Sequence, residues 1–112
     1  VRPVPVANGR VELPLNQYPE LTEIGNAFQI LPSGEEHPLI VLVQNNVSHT
    51  VLSSQCTHRG CTVEAQGERI VCPCHGSTYD RAGAVLRGPA QRALRRYPAE
   101  VKDGVLIIQL NK

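Results

Sequence analysis

All four cysteines of the chain lie in two short stretches, SSQCTHRGC at 53–61 and VCPCHGSTY at 71–79, and each stretch also holds one histidine. Thiolate and imidazole are the protein's softer metal ligands, and paired thiols can also close disulfides. Four chemistries compete on residue type alone: two disulfides, a zinc site, an all-cysteine iron–sulfur site, or a mixed cysteine–histidine cluster. Two disulfides give His58 and His75 no role. Zinc suits two thiolates and two imidazoles, yet its usual module wants paired histidines on a helix or C-x2-C knuckles. Here the loops read C-x-H (56, 58) and C-x2-H (72, 75), with two cysteines left over. A plant-type cluster wants C-x4-C-x2-C and a distant fourth cysteine; Cys56 and Cys61 have the first spacing, but position 64 is glutamate. The mixed cluster is the reading that gives every sulfur and both histidines something to do.

The elements that must position these loops read as β structure. Only Tyr18, Phe28, Tyr79 and Tyr97 are aromatic, so the core must come mainly from Val, Leu and Ile. Strand-like segments are RVELPL (10–15), AFQILP (27–32), two strands within 37–54 turning at QNN, and ERIVC (68–72). Asp103-Gly104 sits between two apolar β-branched runs as a hairpin signal. The proline-rich VRPVPVANG opening reads as an extended entry segment, and PELTEIGNAF (19–28) is the best helical stretch, a weak one. The expectation is an all-β fold: one domain over residues 1–112, a small antiparallel sandwich or barrel. A cluster-binding subdomain over about 55–91 is built from two loops at one end. The stretch between the cysteine loops, TVEAQGERI (62–70), has room only for a short hairpin, so both loops should emerge side by side.

Composition narrows the function further. A net charge of +1 argues against nucleic acid as a partner. The cluster Arg92, Arg95 and Arg96 reads as a solvated strand face, and His37 and His49 read as surface residues. The apolar run PLIVLV (38–43) is far short of the roughly 20 residues needed to span a bilayer, so no membrane segment is expected. No signal peptide is visible, and the absence of methionine suggests a processed or truncated chain. There is no phosphate-binding glycine loop, serine nucleophile motif or acid–base pair, so independent catalysis is not expected.

The two loops resemble those of the Rieske iron–sulfur protein family, which read C-T-H-x-G-C and C-P-C-H-G-S. Both occur without a gap, as Cys56-Thr57-His58-Arg59-Gly60-Cys61 and Cys72-Pro73-Cys74-His75-Gly76-Ser77. The resemblance implies one [2Fe–2S] cluster, with one iron held by Cys56 and Cys72 and the other by His58 and His75. It implies a Cys61–Cys74 disulfide, a hydrogen bond from Ser77 to a bridging sulfide, and one from Tyr79 to a ligand sulfur, that of Cys56. It also implies a third, proline-containing loop over the cluster, here Gly88-Pro89-Ala90-Gln91.

The chemistry implied by the resemblance is one-electron transfer. With two thiolates and two neutral imidazoles the oxidised centre is neutral, whereas four thiolates make it a dianion. An electron is added more easily to the neutral centre, which accounts for a Rieske range of roughly −150 to +300 mV against about −400 mV for plant-type ferredoxins. Imidazole on ferric iron loses its second proton more readily, so electron gain is expected to couple to proton gain.

The resemblance is to the branch that carries the second cysteine pair. Its members are subunits of quinol-oxidising cytochrome bc-type complexes, soluble high-potential carriers, and small subunits of periplasmic oxidases such as arsenite oxidase. Expected partners are a c-type cytochrome, or quinol within a membrane complex, and the expected location is the periplasm or an equivalent outer face. The competing class is a zinc-stabilised interaction domain. The sequence departs from the quinol-oxidising pattern at Arg59, where leucine is usual, and at Gln91, where a second proline is usual. Arg59 reads as a contact for a protein partner.

Overall fold

The computed structural model describes residues 1–45, 47–57, 61–74 and 76–110. In chain order the strands are β1 (Arg2–Val4), β2 (Arg10–Pro14), β3 (Ala27–Pro32), β4 (Leu39–Asn45), β5 (Ser48–Ser53) and β6 (Glu64–Gln66). They continue with β7 (Arg69–Val71), β8 (Thr78–Tyr79), β9 (Val85–Arg87), β10 (Arg96–Tyr97), β11 (Ala99–Lys102) and β12 (Val105–Gln109). They form three sheets, ordered β1-β3-β4-β5-β10, β11-β12-β2 and β6-β7-β8-β9. The fold is all-β and mostly antiparallel, as the composition implied; the exception is β1, which pairs parallel with β3. The proline-rich opening is therefore an edge strand, and Asn8-Gly9, both at positive φ, turn the chain between Ala7 and Arg10. The weak helical stretch becomes a short 3-10 turn at Pro19–Thr22 that buries Leu21.

The central strands explain the unbroken apolar run. Leu39 and Val41 of β4 pack with Val11, Leu13, Leu106 and Ile108 of the β11-β12-β2 sheet. Ile40 and Leu42, which alternate with them, pack on the opposite side with Ile70, Tyr79 and both Cys56 and Cys72. Side chains of a strand alternate between faces, so a strand covered on both sides must be apolar at every position. Leu39 through Val43 are all buried. The middle sheet thus carries a base on one face and the cysteine loops on the other.

Asp103 and Gly104, at φ 53° and 76°, make the two-residue turn that joins β11 and β12, the geometry an Asp-Gly hairpin requires. Lys102 pairs with Val105 across it. One surface expectation is overturned. His49 is only 9% exposed, because β5 is covered on both faces, and its Nε2 donates to the Leu21 carbonyl at 2.8 Å. His37 is half-buried rather than fully exposed. Arg92, Arg95 and Arg96 are exposed, with the Arg95 guanidinium stacked 4.6 Å over the Tyr97 ring.

Candidate metal centre

The first cysteine loop leaves β5 through a closed neck. Gln55 and Thr62 form an isolated bridge, Cys56 N–H donates to the Cys61 carbonyl at 2.7 Å, and Val63 N–H donates to the Ser54 carbonyl at 2.7 Å. The second loop is the connection of the β7–β8 hairpin. Cys72 N–H bonds the Ser77 carbonyl at 2.8 Å and Gly76 N–H bonds back to the Cys72 carbonyl at 3.0 Å, with Gly76 at φ 81°. A left-handed residue is needed there to turn the chain towards β8, and glycine adopts it without penalty. The short β6–β7 hairpin between the loops brings them side by side, as the length of 62–70 required.

A disulfide joins the tips. Cys61 and Cys74 are bonded, with Cα atoms 6.5 Å apart. Cys56 and Cys72 stay outside any disulfide and are 2% and 1% exposed, set among Ile40, Leu42, Leu52, Val63 and Ile70. The Cys72 sulfur lies within 4.8 Å of both bridged sulfurs. That trio is not a ligand set, because a disulfide sulfur cannot give the thiolate that binds metal. His58, Arg59, Gly60 and His75 lie outside the described residues.

One hydroxyl stands directly against a thiol, and a second is buried in the adjoining loop. Tyr79 is fully buried on β8, and its Oη lies 3.3 Å from Cys56 Sγ, the sulfur towards which the resemblance pointed it. Burial first, and the neighbouring Cys56 sulfur second, raise the Tyr79 phenol above its ordinary 10.0. The group therefore stays protonated and able to donate. Ser77, also fully buried, accepts the Ala90 N–H on Oγ at 3.0 Å. Its own hydroxyl hydrogen is not used in that bond, so it remains a donor.

The third loop closes over this group. Gly88 and Pro89, joined by a cis peptide, are exposed, and Ala90 turns inward at 4% exposure. Ala90 ties the loop to Ser77 of the second cysteine loop, and the Arg92 carbonyl accepts Thr57 Oγ1–H of the first at 2.7 Å. Gly83, at φ 90°, anchors its far end by accepting Leu94 N–H at 2.9 Å. Arg81 ties the cluster-side sheet to the middle sheet, donating to the Gly67 carbonyl in the β6–β7 turn and to the Gly25 carbonyl ahead of β3, both at 3.1 Å. Sequence reading assigned no role to Thr57 or Arg81. Their partners are main-chain carbonyls far along the chain, which leave no side-chain signature to find.

Two buried thiols outside a disulfide, one of them beside the Tyr79 hydroxyl, under three interlocked loops, have the donor chemistry and shelter of an iron–sulfur site. The residues described fit such a group. In class, this is a small all-β metal-cluster protein.

Comparison with known proteins makes the class specific. Residues 15–98 match the Rieske [2Fe-2S] domain, and the chain belongs to that family. Its cofactor is one [2Fe–2S] cluster. The chain is 33% identical over 73 residues to the cytochrome b6-f complex iron-sulfur subunit of Chlorobaculum tepidum, covering 63% of this chain and 40% of that one. It is 39% identical over 79 residues to the cytochrome b6-f complex iron-sulfur subunit 1 of Cyanophora paradoxa, covering 68% and 33%. This chain spans less than half the length of these relatives. Among solved structures, the plasma membrane Rieske protein PetC3 of Synechocystis PCC 6803 superposes with a TM-score of 0.63 at 29% identity, over 74% of this chain and 85% of that one. A complex of oxygenase and ferredoxin in carbazole 1,9a-dioxygenase contains a chain that superposes at 0.68 over 92% and 94%, at 19% identity, a likeness of fold. No helix among the described residues is long and apolar enough to cross a membrane.

Proposed function

We propose that this chain carries one electron at a time between a donor and a protein acceptor through a Rieske cluster held by Cys56, Cys72, His58 and His75. The proposal treats residues 1–112 as one domain whose cluster-binding part spans about 55–91. The observation that carries it is the division of the cysteines, two bridged across the loop tips and two buried outside any disulfide, with the Tyr79 hydroxyl against the Cys56 sulfur. When bound, the cluster supplies reversible one-electron chemistry. Cys56 and Cys72 provide thiolate to one iron, and His58 and His75 provide imidazole to the other. Tyr79 donates to the Cys56 sulfur, and Ser77 keeps a hydroxyl hydrogen to give. Such donors favour the electron-rich reduced state and raise the potential. Ile40, Leu42, Leu52 and Ile70 keep water from the sulfur side.

The relatives' names support a place in a membrane complex of the cytochrome b6-f type; quinol as donor and a c-type cytochrome as acceptor are the partners this proposal adds. The Cys61–Cys74 bridge supports an oxidising location such as the periplasmic or outer face. Proton coupling through the imidazole ligands completes the reading. Protein produced in cells that assemble iron–sulfur centres should be coloured and contain iron and acid-labile sulfide in equal amounts. Its midpoint potential should fall as pH rises into the alkaline range. Colourless protein loaded with zinc refutes the assignment.

A further inference from the structure

The Tyr79 hydroxyl has more neighbours than its role at Cys56 requires. Its Oη lies 3.3 Å from Cys56 Sγ, 3.1 Å from Thr57 Oγ1 and 3.3 Å from Thr57 N. The hydrogens can be assigned one by one. The main-chain N–H of Thr57 donates to Oη. The Arg92 carbonyl is only an acceptor, so the Thr57 hydroxyl hydrogen goes to it across 2.7 Å. Thr57 Oγ1 then has lone pairs to offer Tyr79 and no hydrogen. The single phenolic hydrogen therefore faces two acceptors, the Cys56 sulfur and the Thr57 oxygen.

We propose that Thr57 is a positioning residue that sets the reduction potential by taking a share of the Tyr79 hydrogen bond away from the Cys56 sulfur. The proposal rests on Cys56 being a cluster ligand. The Thr57 main-chain N–H steers the phenol oxygen, while the Thr57 side-chain oxygen competes for the phenol hydrogen. Locking Oγ1–H onto Arg92 fixes Thr57 as an acceptor and couples the competition to the third loop. Removing the oxygen while keeping the shape leaves Tyr79 one acceptor among the described residues, the sulfur, and the reduced state gains. The Arg92 carbonyl freed by such a change is at the surface, where water can satisfy it, so the structural cost is small.

The test is voltammetry on the cluster-loaded protein with Thr57→Val, Thr57→Ser, Tyr79→Phe and the Tyr79→Phe/Thr57→Val pair. Thr57→Val should raise the reduced-to-oxidised ratio at the wild-type midpoint by about threefold, ~30 mV at 59 mV per tenfold for one electron. Thr57→Ser keeps the oxygen and should stay within a few mV of wild type. Tyr79→Phe should lower the midpoint, and in that background Thr57→Val should no longer raise it. Thr57→Ala is the second hydroxyl-free variant if the valine protein assembles poorly, and it should move the potential the same way. A Thr57→Val midpoint at or below wild type, or a rise that persists without the Tyr79 hydroxyl, overturns the proposal. If Tyr79→Phe itself leaves the midpoint unmoved, the assignment of Cys56 as ligand is what fails.

Discussion

Removing the bridge between the two cysteine loops should cost the cluster-free protein about 3 kcal/mol. Cys61 and Cys74 are 13 residues apart, and closing a loop of about 15 residues removes roughly that much chain entropy from the unfolded state. The folded state should change little, because the segment between them is held independently. Glu64–Gln66 pairs with Arg69–Val71, Ile70 pairs with Tyr79, and Cys56 N–H bonds the Cys61 carbonyl at 2.7 Å. The Cys61→Ala/Cys74→Ala variant should therefore keep its far-ultraviolet dichroism and unfold at lower urea. With a slope near 1.5 kcal/mol per M, the midpoint falls by about 2 M. The cluster-loaded pair should differ by less, since ligands on both loops supply a second cross-link over the same gap. A loss below about 0.5 kcal/mol in the cluster-free pair refutes the reasoning, because it means the bridge does not restrict the unfolded chain.

Gly83→Ala should destabilise by about 2–3 kcal/mol in urea titration. A side chain at φ 90° is strained, and its Cβ would stand 3.0 Å from Leu52 Cδ2; an unchanged midpoint contradicts this. Burial holds Tyr79 and Tyr97 above the ordinary phenol value of 10.0, so each folded pKa exceeds the unfolded one. Their contribution to stability is complete below about pH 10 and is lost as pH climbs through the raised values. Urea midpoints should stay level on this account and then fall, and phenolate absorbance appearing at ordinary pH refutes it. Arg59→Leu should flatten the ionic-strength dependence of electron transfer to a c-type cytochrome, because a guanidinium contact is screened by salt. An unchanged slope removes the docking role.

The two cysteine loops were legible because their motifs are local in sequence. Cys61 and Cys74 fall one to each loop and are the pair that the structure bridges, while the assignment of Cys56, His58, Cys72 and His75 as ligands stays a proposal. The Asp103-Gly104 turn was legible for the same reason, since two neighbouring residues determine its backbone. The features that escaped depend on distant partners. His49 looks like any polar strand residue until Leu21, 28 positions earlier, is placed against it. Thr57 sits inside a recognised motif, yet its hydroxyl is committed to the Arg92 carbonyl 35 residues away. The opening strand pairs parallel with β3 through main-chain bonds that proline-rich composition conceals. The run at 38–43 read as part of a strand too short to span a bilayer, and only the topology reveals that it separates two cores.

The central claim is that one iron is held by sulfur from Cys56 and Cys72 and the other by nitrogen from His58 and His75. Electron–nuclear double resonance on the reduced protein, grown with 15N-histidine, tests it most directly. The account predicts two 15N couplings strong enough for direct iron ligation, with neither His58→Cys nor His75→Cys retaining the pair. A reduced centre showing no histidine coupling, or one whose couplings survive both substitutions, contradicts it.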